Sequence, residues 1–94
     1  MEAIMATLQE RKHYREAIMK ALYETTEGNR FLGVTGATLR DDLQIPEQDL
    51  AAACAYLVGE GLVIVDWEQG NTPMMVTLTH HGIRLMEAEE EKRG

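Results

Sequence analysis

The sequence predicts an α+β fold: three helices, then a two-stranded β-ribbon, then a last helix, all in one domain spanning residues 1–94. Three observations carry this. From Thr35 to Leu50 the chain reads TGATLRDDLQIPEQDL, a cap, a short apolar-periodic stretch, a proline turn and a second helix start. At Gly59 to Val63 the spacing changes from helical to extended across two glycines. Met74, Val76 and Leu78 then alternate as in a half-buried strand, just before Thr79 opens another helical pattern.

Length and composition agree with this. A chain of 94 residues buries roughly two-thirds of its unfolded surface, enough for one modest core. Cys54 is the single cysteine, which excludes an intrachain disulfide and fits a reducing compartment, so the expected location is cytoplasmic. No apolar run approaches the roughly 18 residues of a membrane span, and the start of the chain lacks the basic segment of a signal peptide.

Residues 1–27 read as helix, with Tyr14, Ile18, Ala21, Leu22 and Thr25 as one apolar stripe and Gly28-Asn29 as its stop. Two starts are open. Thr7 and Glu10 match a capping box, which begins the helix near Leu8 and leaves residues 1–6 as an arm. A longer helix from near Glu2 is preferred, with residues 1–12 as a helical extension or dimer arm. On it Met1, Ile4, Met5 and Leu8 share a side and either fray or contact a second copy. Met86 near the other end is a further candidate dimer contact.

Asn29 to Val34 is a connector or short strand with Phe31, Leu32 and Val34 available to the core. Thr35 caps a helix from Gly36 to about Leu43, whose buried side is Ala37, Leu39 and Leu43. Gln44-Ile45-Pro46 is the turn, and Pro46 suits the first turn of the next helix. That helix runs from about Glu47 to Gly59, with Leu50, Ala53, Cys54 and Leu57 inward and Gln48, Ala51, Ala52, Ala55 and Tyr56 outward. Gly61 is the left-handed residue past its end. Leu62 to Glu68 is a strand, Gln69 to Pro73 a hairpin loop, and Met74 to Leu78 the return strand. Thr79 caps the last helix, and residues 88–94 form an acidic tail.

Charge is unevenly placed. Residues 1–40 carry six Lys/Arg and five Asp/Glu; residues 41–83 carry seven Asp/Glu and no Lys/Arg; residues 84–94 carry three and four. The net of −7 therefore belongs to the middle of the chain. Such a field repels phosphate and favours cationic or apolar partners.

Three segments resemble the winged helix-turn-helix family, over about residues 14–87. Tyr56-Leu-Val-Gly-Glu-Gly-Leu-Val63 is similar to the junction of its third helix and wing; Val76-Thr-Leu-Thr-His-His-Gly-Ile83 to the segment ending the wing; Leu39-Arg-Asp-Asp-Leu-Gln-Ile-Pro46 to its positioning helix and turn. The resemblance implies a transcriptional regulator of small size, often a homodimer, whose third helix enters the major groove of double-stranded DNA and whose wing lies along the phosphates. The chain departs from that pattern where DNA chemistry resides. Its third helix offers Gln48 beside Glu47, Asp49 and three alanines, and its wing offers Gln69, Asn71 and Thr72 above Asp66 and Glu68. A carboxylate about 5 Å from a phosphate in water costs ~0.8 kcal/mol before screening. Several of these outweigh one or two neutral hydrogen bonds at roughly 1 kcal/mol each.

The expected function is thus a homodimeric module working through protein contacts, with a DNA-binding regulator as the alternative. Its candidate partner-binding residues are Gln48, Asp49, Ala52, Ala55, Tyr56, Gln69, Asn71 and Thr72. Arg30 and Arg40 are the candidate phosphate contacts if DNA is bound, while Arg11, Lys12, Arg15 and Lys20 lie on the first helix. Tyr56 and Trp67 are either partner anchors or half-buried core aromatics. No cofactor, metal or catalytic role is expected. His80 and His81 are adjacent and point apart, no metal-ligand spacing occurs, the chain has no serine, and Cys54 lies on an apolar stripe.

Overall fold

The computed structural model describes residues 6–27, 29 and 32–93, with the backbone alone at residue 93. The elements are α1 (Leu8–Thr26), β1 (Gly33–Thr35), α2 (Gly36–Leu43), α3 (Glu47–Gly59), β2 (Val63–Glu68), β3 (Thr72–Leu78) and α4 (His80–Arg93). Four helices and a three-stranded antiparallel sheet in the order β1-β3-β2 make an α+β fold. A short β1, paired Gly33 to Thr77 and Val34 to Val76, thus joins the expected two-stranded ribbon.

The start of α1 is settled by local chemistry. The Glu10 N–H donates to Thr7 Oγ1 at 3.1 Å, and the Thr7 N–H donates to Glu10 Oε1 at 2.8 Å. This capping box satisfies two donors that no helical carbonyl can reach. The helix therefore begins at Leu8 and not near Glu2, because Thr7 is extended (φ −69°, ψ 167°). Met1, Ile4 and Met5, expected on that longer helix, lie outside the described residues, as do Gly28, Arg30 and Phe31.

α1 buries Ile18, Met19, Leu22 and Thr26. The stripe was expected to end on Thr25, which is exposed; Thr26 takes the place because its hydroxyl donates to the Leu22 carbonyl at 2.7 Å and so enters the core satisfied. Left-handed Glu27 (φ 54°) ends α1, its N–H donating to the Tyr23 carbonyl. Leu32, expected to be available to the core, is 50% exposed, whereas Val34 is buried at the centre of β1.

Thr35 caps α2 by accepting from the Thr38 N–H at 3.1 Å. Of the expected buried side, Leu39 is buried and Leu43 half-buried, but Ala37 is exposed. Gly36 takes the inward place instead. A Cβ there would collide with the Pro73 carbonyl oxygen, so α2 starts in contact with β3. Gln44 adopts the left-handed conformation (φ 55°), and the turn inserts Ile45, 2% exposed, into the core. Pro46 is the N-cap of α3 rather than its first helical residue.

α3 ends in a Schellman motif. The Gly61 N–H donates to the Val58 carbonyl at 2.9 Å and the Leu62 N–H to the Leu57 carbonyl at 3.0 Å, with Gly61 at φ 74° as expected. The loop between β2 and β3 is shorter than expected. Gly70 and Asn71 both have positive φ, and Thr72 and Pro73 already belong to β3. Asp66 pairs with Met75 but Trp67 with Pro73, so Met74 is an extra, bulged residue. The bulge changes the phase of the strand: Val76 and Leu78 face the core as expected, Met74 is 48% exposed, and Pro73 is buried in its stead.

Thr79 ties the end of the sheet to the junction after α3. Its hydroxyl donates to the Gly61 carbonyl at 2.6 Å and accepts from the Gly82 N–H at 3.0 Å, while its N–H donates to the Leu62 carbonyl at 3.0 Å. α4 then continues through the acidic stretch, with residues 87–92 exposed. No helix among the described residues is long and apolar enough to cross a membrane.

Candidate partner-binding face

α3 and the β2–β3 ribbon project from a core formed by Ile18, Leu22, Leu39, Ile45, Leu50, Cys54, Leu57, Val76 and Leu78. The inward stripe of α3 fixes its rotation. With Leu50, Ala53, Cys54 and Leu57 buried, Gln48, Ala52 and Ala55 are held in solvent. At the ribbon tip Gln69 and Asn71 are exposed and Thr72 is half-buried.

Two candidate residues on α3 point toward α1. Asp49 is half-buried, and its charge, after burial itself, helps hold the Tyr14 phenol above its ordinary pKa. Tyr56 is 46% exposed, with the Arg15 guanidinium carbon 3.5 Å from its ring centroid. Such a cation–π contact is worth ~0.5–1 kcal/mol at an exposed site. Of the cations on the first helix, Arg15 is thus brought against α3. Nothing in the spacing of Arg15 and Tyr56, forty-one positions apart, signals the contact.

Arg40 lines an open cleft between α2, the start of α3 and the ribbon, together with Thr35, Glu47, Leu50, Glu68 and Thr72. Its Nε donates to Asp41 Oδ1 at 3.0 Å. That hydrogen bond and then the Asp41 charge raise its pKa against an opposing effect of burial, with Glu47 adding least. A guanidinium so placed has part of its field cancelled before any phosphate approaches. Arg30, the other candidate phosphate contact, lies outside the described residues.

Around this face the exposed acids are Asp41, Asp42, Glu47, Glu60, Asp66 and Glu68. Trp67 is 40% exposed, Val58 40% and Ile64 60%; the last two were not singled out from the sequence, since apolar residues inside strand and helix patterns read as core. Away from this face, Leu8 at the start of α1 is 54% exposed, Leu85 on α4 is 40% exposed and Met86 is half-buried against the core. Tyr23, toward the other end of α1, packs on the core as well, its phenol pKa raised by burial and then by Glu87 and Glu90.

Cys54 is fully buried, and burial pushes its thiol up to about 11, so it stays protonated and unreactive at neutral pH. Among the described residues no three His, Cys, Asp or Glu side chains gather as a metal site would require.

No protein-family model matches the sequence, and no curated protein matches it. Among solved structures the chain is similar to a MarR family regulator from Neisseria meningitidis, at 25% sequence identity and a TM-score of 0.61. The likeness covers 84% of this chain and 55% of that one, so the chain spans about half the length of that regulator. The helix–turn–helix of α2 and α3, the bulged ribbon that follows, and this likeness together make the chain a winged helix-turn-helix domain.

Proposed function

We propose that this winged-helix chain serves transcription regulation as a homodimeric binding module, whose α3 and wing meet a basic or apolar protein surface. One observation carries the reading. Residues 41–83, from the end of α2 through α3 and the wing to the start of α4, hold seven carboxylates and no Lys or Arg; four of these, Glu47, Asp49, Asp66 and Glu68, lie on α3 and the wing strands, and Arg40 is bonded to Asp41. A face of that sign attracts cations and repels a phosphate backbone. The likeness to a regulator supports the setting.

Titration of a labelled mixed-sequence duplex at low salt tests this. The reading expects no salt-sensitive binding at micromolar concentrations. The second reading, a DNA-binding regulator with a weakly basic footprint, is favoured by the likeness and by Arg15 beside α3. Micromolar or tighter binding that weakens steeply with salt establishes it and removes the first.

The homodimer part of the reading is supported by Leu8 at the start of α1 and Leu85 on α4 standing exposed, with Met1, Ile4 and Met5 preceding Leu8 in sequence. Solution mass of the full chain and of one beginning at Ala6, which keeps the Thr7 capping box, is the check. A dimer lost on truncation supports the arm; two monomers remove the dimer.

A further inference from the structure

β2 is the edge of the sheet. The order is β1-β3-β2, so one side of β2 pairs with β3 and, among the described residues, no strand lies on the other. The phase of the ladder follows from one bond. The Thr79 N–H donates to the Leu62 carbonyl, which makes Leu62 and Thr79 a hydrogen-bonded pair. Antiparallel pairs alternate, and the register aligns Val63 with Leu78, Ile64 with Thr77 and Val65 with Val76. Ile64 therefore bonds inward to Thr77, and Val63 and Val65 turn their N–H and C=O groups away from β3; Val63 is buried, so the accessible part of the edge begins at half-buried Val65.

The guards along that edge are carboxylates, which turn away like-charged strands but not cationic ones. Edge strands are normally protected by charged side chains, most often Lys, by Pro, by bulges or by brevity. β2 is six residues long and has none of these cations or prolines. Ile64, 60% exposed, and Trp67, 40% exposed, offer apolar surface, and Asp66 and Glu68 stand exposed on the same strand. Alternation places Ile64 and Asp66 on one face. We propose that the β2 edge binds an extended, basic segment of a partner protein by strand addition, the partner's Lys or Arg facing Asp66 and Glu68 and an apolar neighbour covering Ile64. This rests on the protein-contact reading above and names the partner's chemistry. Charge complementarity selects this occupant over a second copy. Two β2 edges side by side bring Asp66 and Glu68 of both chains into one seam, where like charges across strands oppose pairing.

The test uses the full chain and an array of short synthetic peptides in which Lys or Arg alternates with Val, Ile or Thr. One control set carries Glu at every cation. A second keeps the cations but has alternate backbone N–H groups methylated along one edge, which removes strand addition and leaves the charge. Amide hydrogen exchange reports the place of binding. The expected result is binding at concentrations up to about millimolar, slowing of exchange at Val65, and loss of affinity by about tenfold or more on methylation or on Glu replacement. The double variant Asp66→Asn, Glu68→Gln weakens basic-peptide binding in the same direction. Equal binding of the methylated peptides, protection at α3 instead of β2, or no binding by any basic peptide overturns strand addition while leaving protein contact by another surface standing. A doubled mass abolished by Val65→Pro overturns the choice of occupant, since proline is tolerated on an edge only where its N–H faced outward. Failure of the underlying reading has a separate sign, salt-sensitive duplex binding by the unmodified chain.

Discussion

On the side of α3 that faces the body, Leu50, Ala53, Cys54 and Leu57 are each 5% exposed or less. On the other, Gln48, Ala52 and Ala55 stand in solvent, flanked by exposed Glu47 and by Tyr56 under Arg15. The inner side obeys packing: each position needs an apolar group of about the right size, and a three- and four-residue spacing supplies it. The outer side is free of that demand, so small residues and negative charge are tolerated there without cost to the fold. The same helix thus carries a fold in common with a regulator and a surface with a different electrostatic sign from one that grips phosphate.

Substitutions separate the two sides. Leu50→Ala is expected to cost about 2–5 kcal/mol in chemical denaturation, because Leu50 is 2% exposed and its loss leaves a cavity in the core. A cost below about 1 kcal/mol breaks the assignment of the inner stripe.

Cys54 gives a pH-dependent version of the same contrast. Burial raises its thiol from 9.0 to about 11. The folded state then holds this proton more tightly than the unfolded chain, so the associated stability is complete below pH 9 and is lost as the pH rises toward 11. Over that window the native chain should lose about 2–3 kcal/mol more than Cys54→Ala does. Comparison with the variant removes the contributions of Tyr14 and Tyr23, whose phenols are also raised. Equal alkaline slopes for the two chains contradict a buried thiol.

Gly61→Ala probes the end of the helix without touching packing. Nothing lies within 4 Å of an added Cβ, yet φ is +74°. The cost is expected at about 1–2 kcal/mol, all of it from backbone conformation. A neutral result means that the chain leaves α3 by another route. Smallest is the outer side: Gln48→Ala and Ala55→Gln should each change stability by no more than about 0.5 kcal/mol, read from the same denaturation curves.

What could be read from the sequence divides along similar lines. Leu50, Ala53, Cys54 and Leu57 were legible because local spacing determines them, and Gly61 because few other residues tolerate its conformation. Thr7 and Glu10 carried the correct start of α1, but the apolar residues before them favoured a longer helix. The misplaced elements depended on distant partners. Thr26 replaces Thr25 only once the Leu22 carbonyl is available to its hydroxyl. Gly36 is inward because Pro73 presses on it, and Pro73 lies in β3 because Met74 bulges out. On the candidate face, Gln48, Ala52, Ala55, Gln69 and Asn71 were placed in solvent by periodicity and turn chemistry alone. Arg15 over Tyr56 and the open edge of β2 needed the folded chain, since one is a contact between distant helices and the other a property of strand order.

The electrostatic sign of α3 and the wing is the point on which the functional account turns. Its most direct measurement compares the native chain with Glu47→Lys, Asp66→Lys, Glu68→Lys in the low-salt duplex titration. The account predicts that the native chain leaves the duplex free at micromolar concentrations. The triple variant, changed by six charges on one face, should bind with an affinity that falls steeply with salt. Native binding as tight as the variant's, with a comparable salt slope, would contradict the account and assign α3 and its wing to nucleic acid.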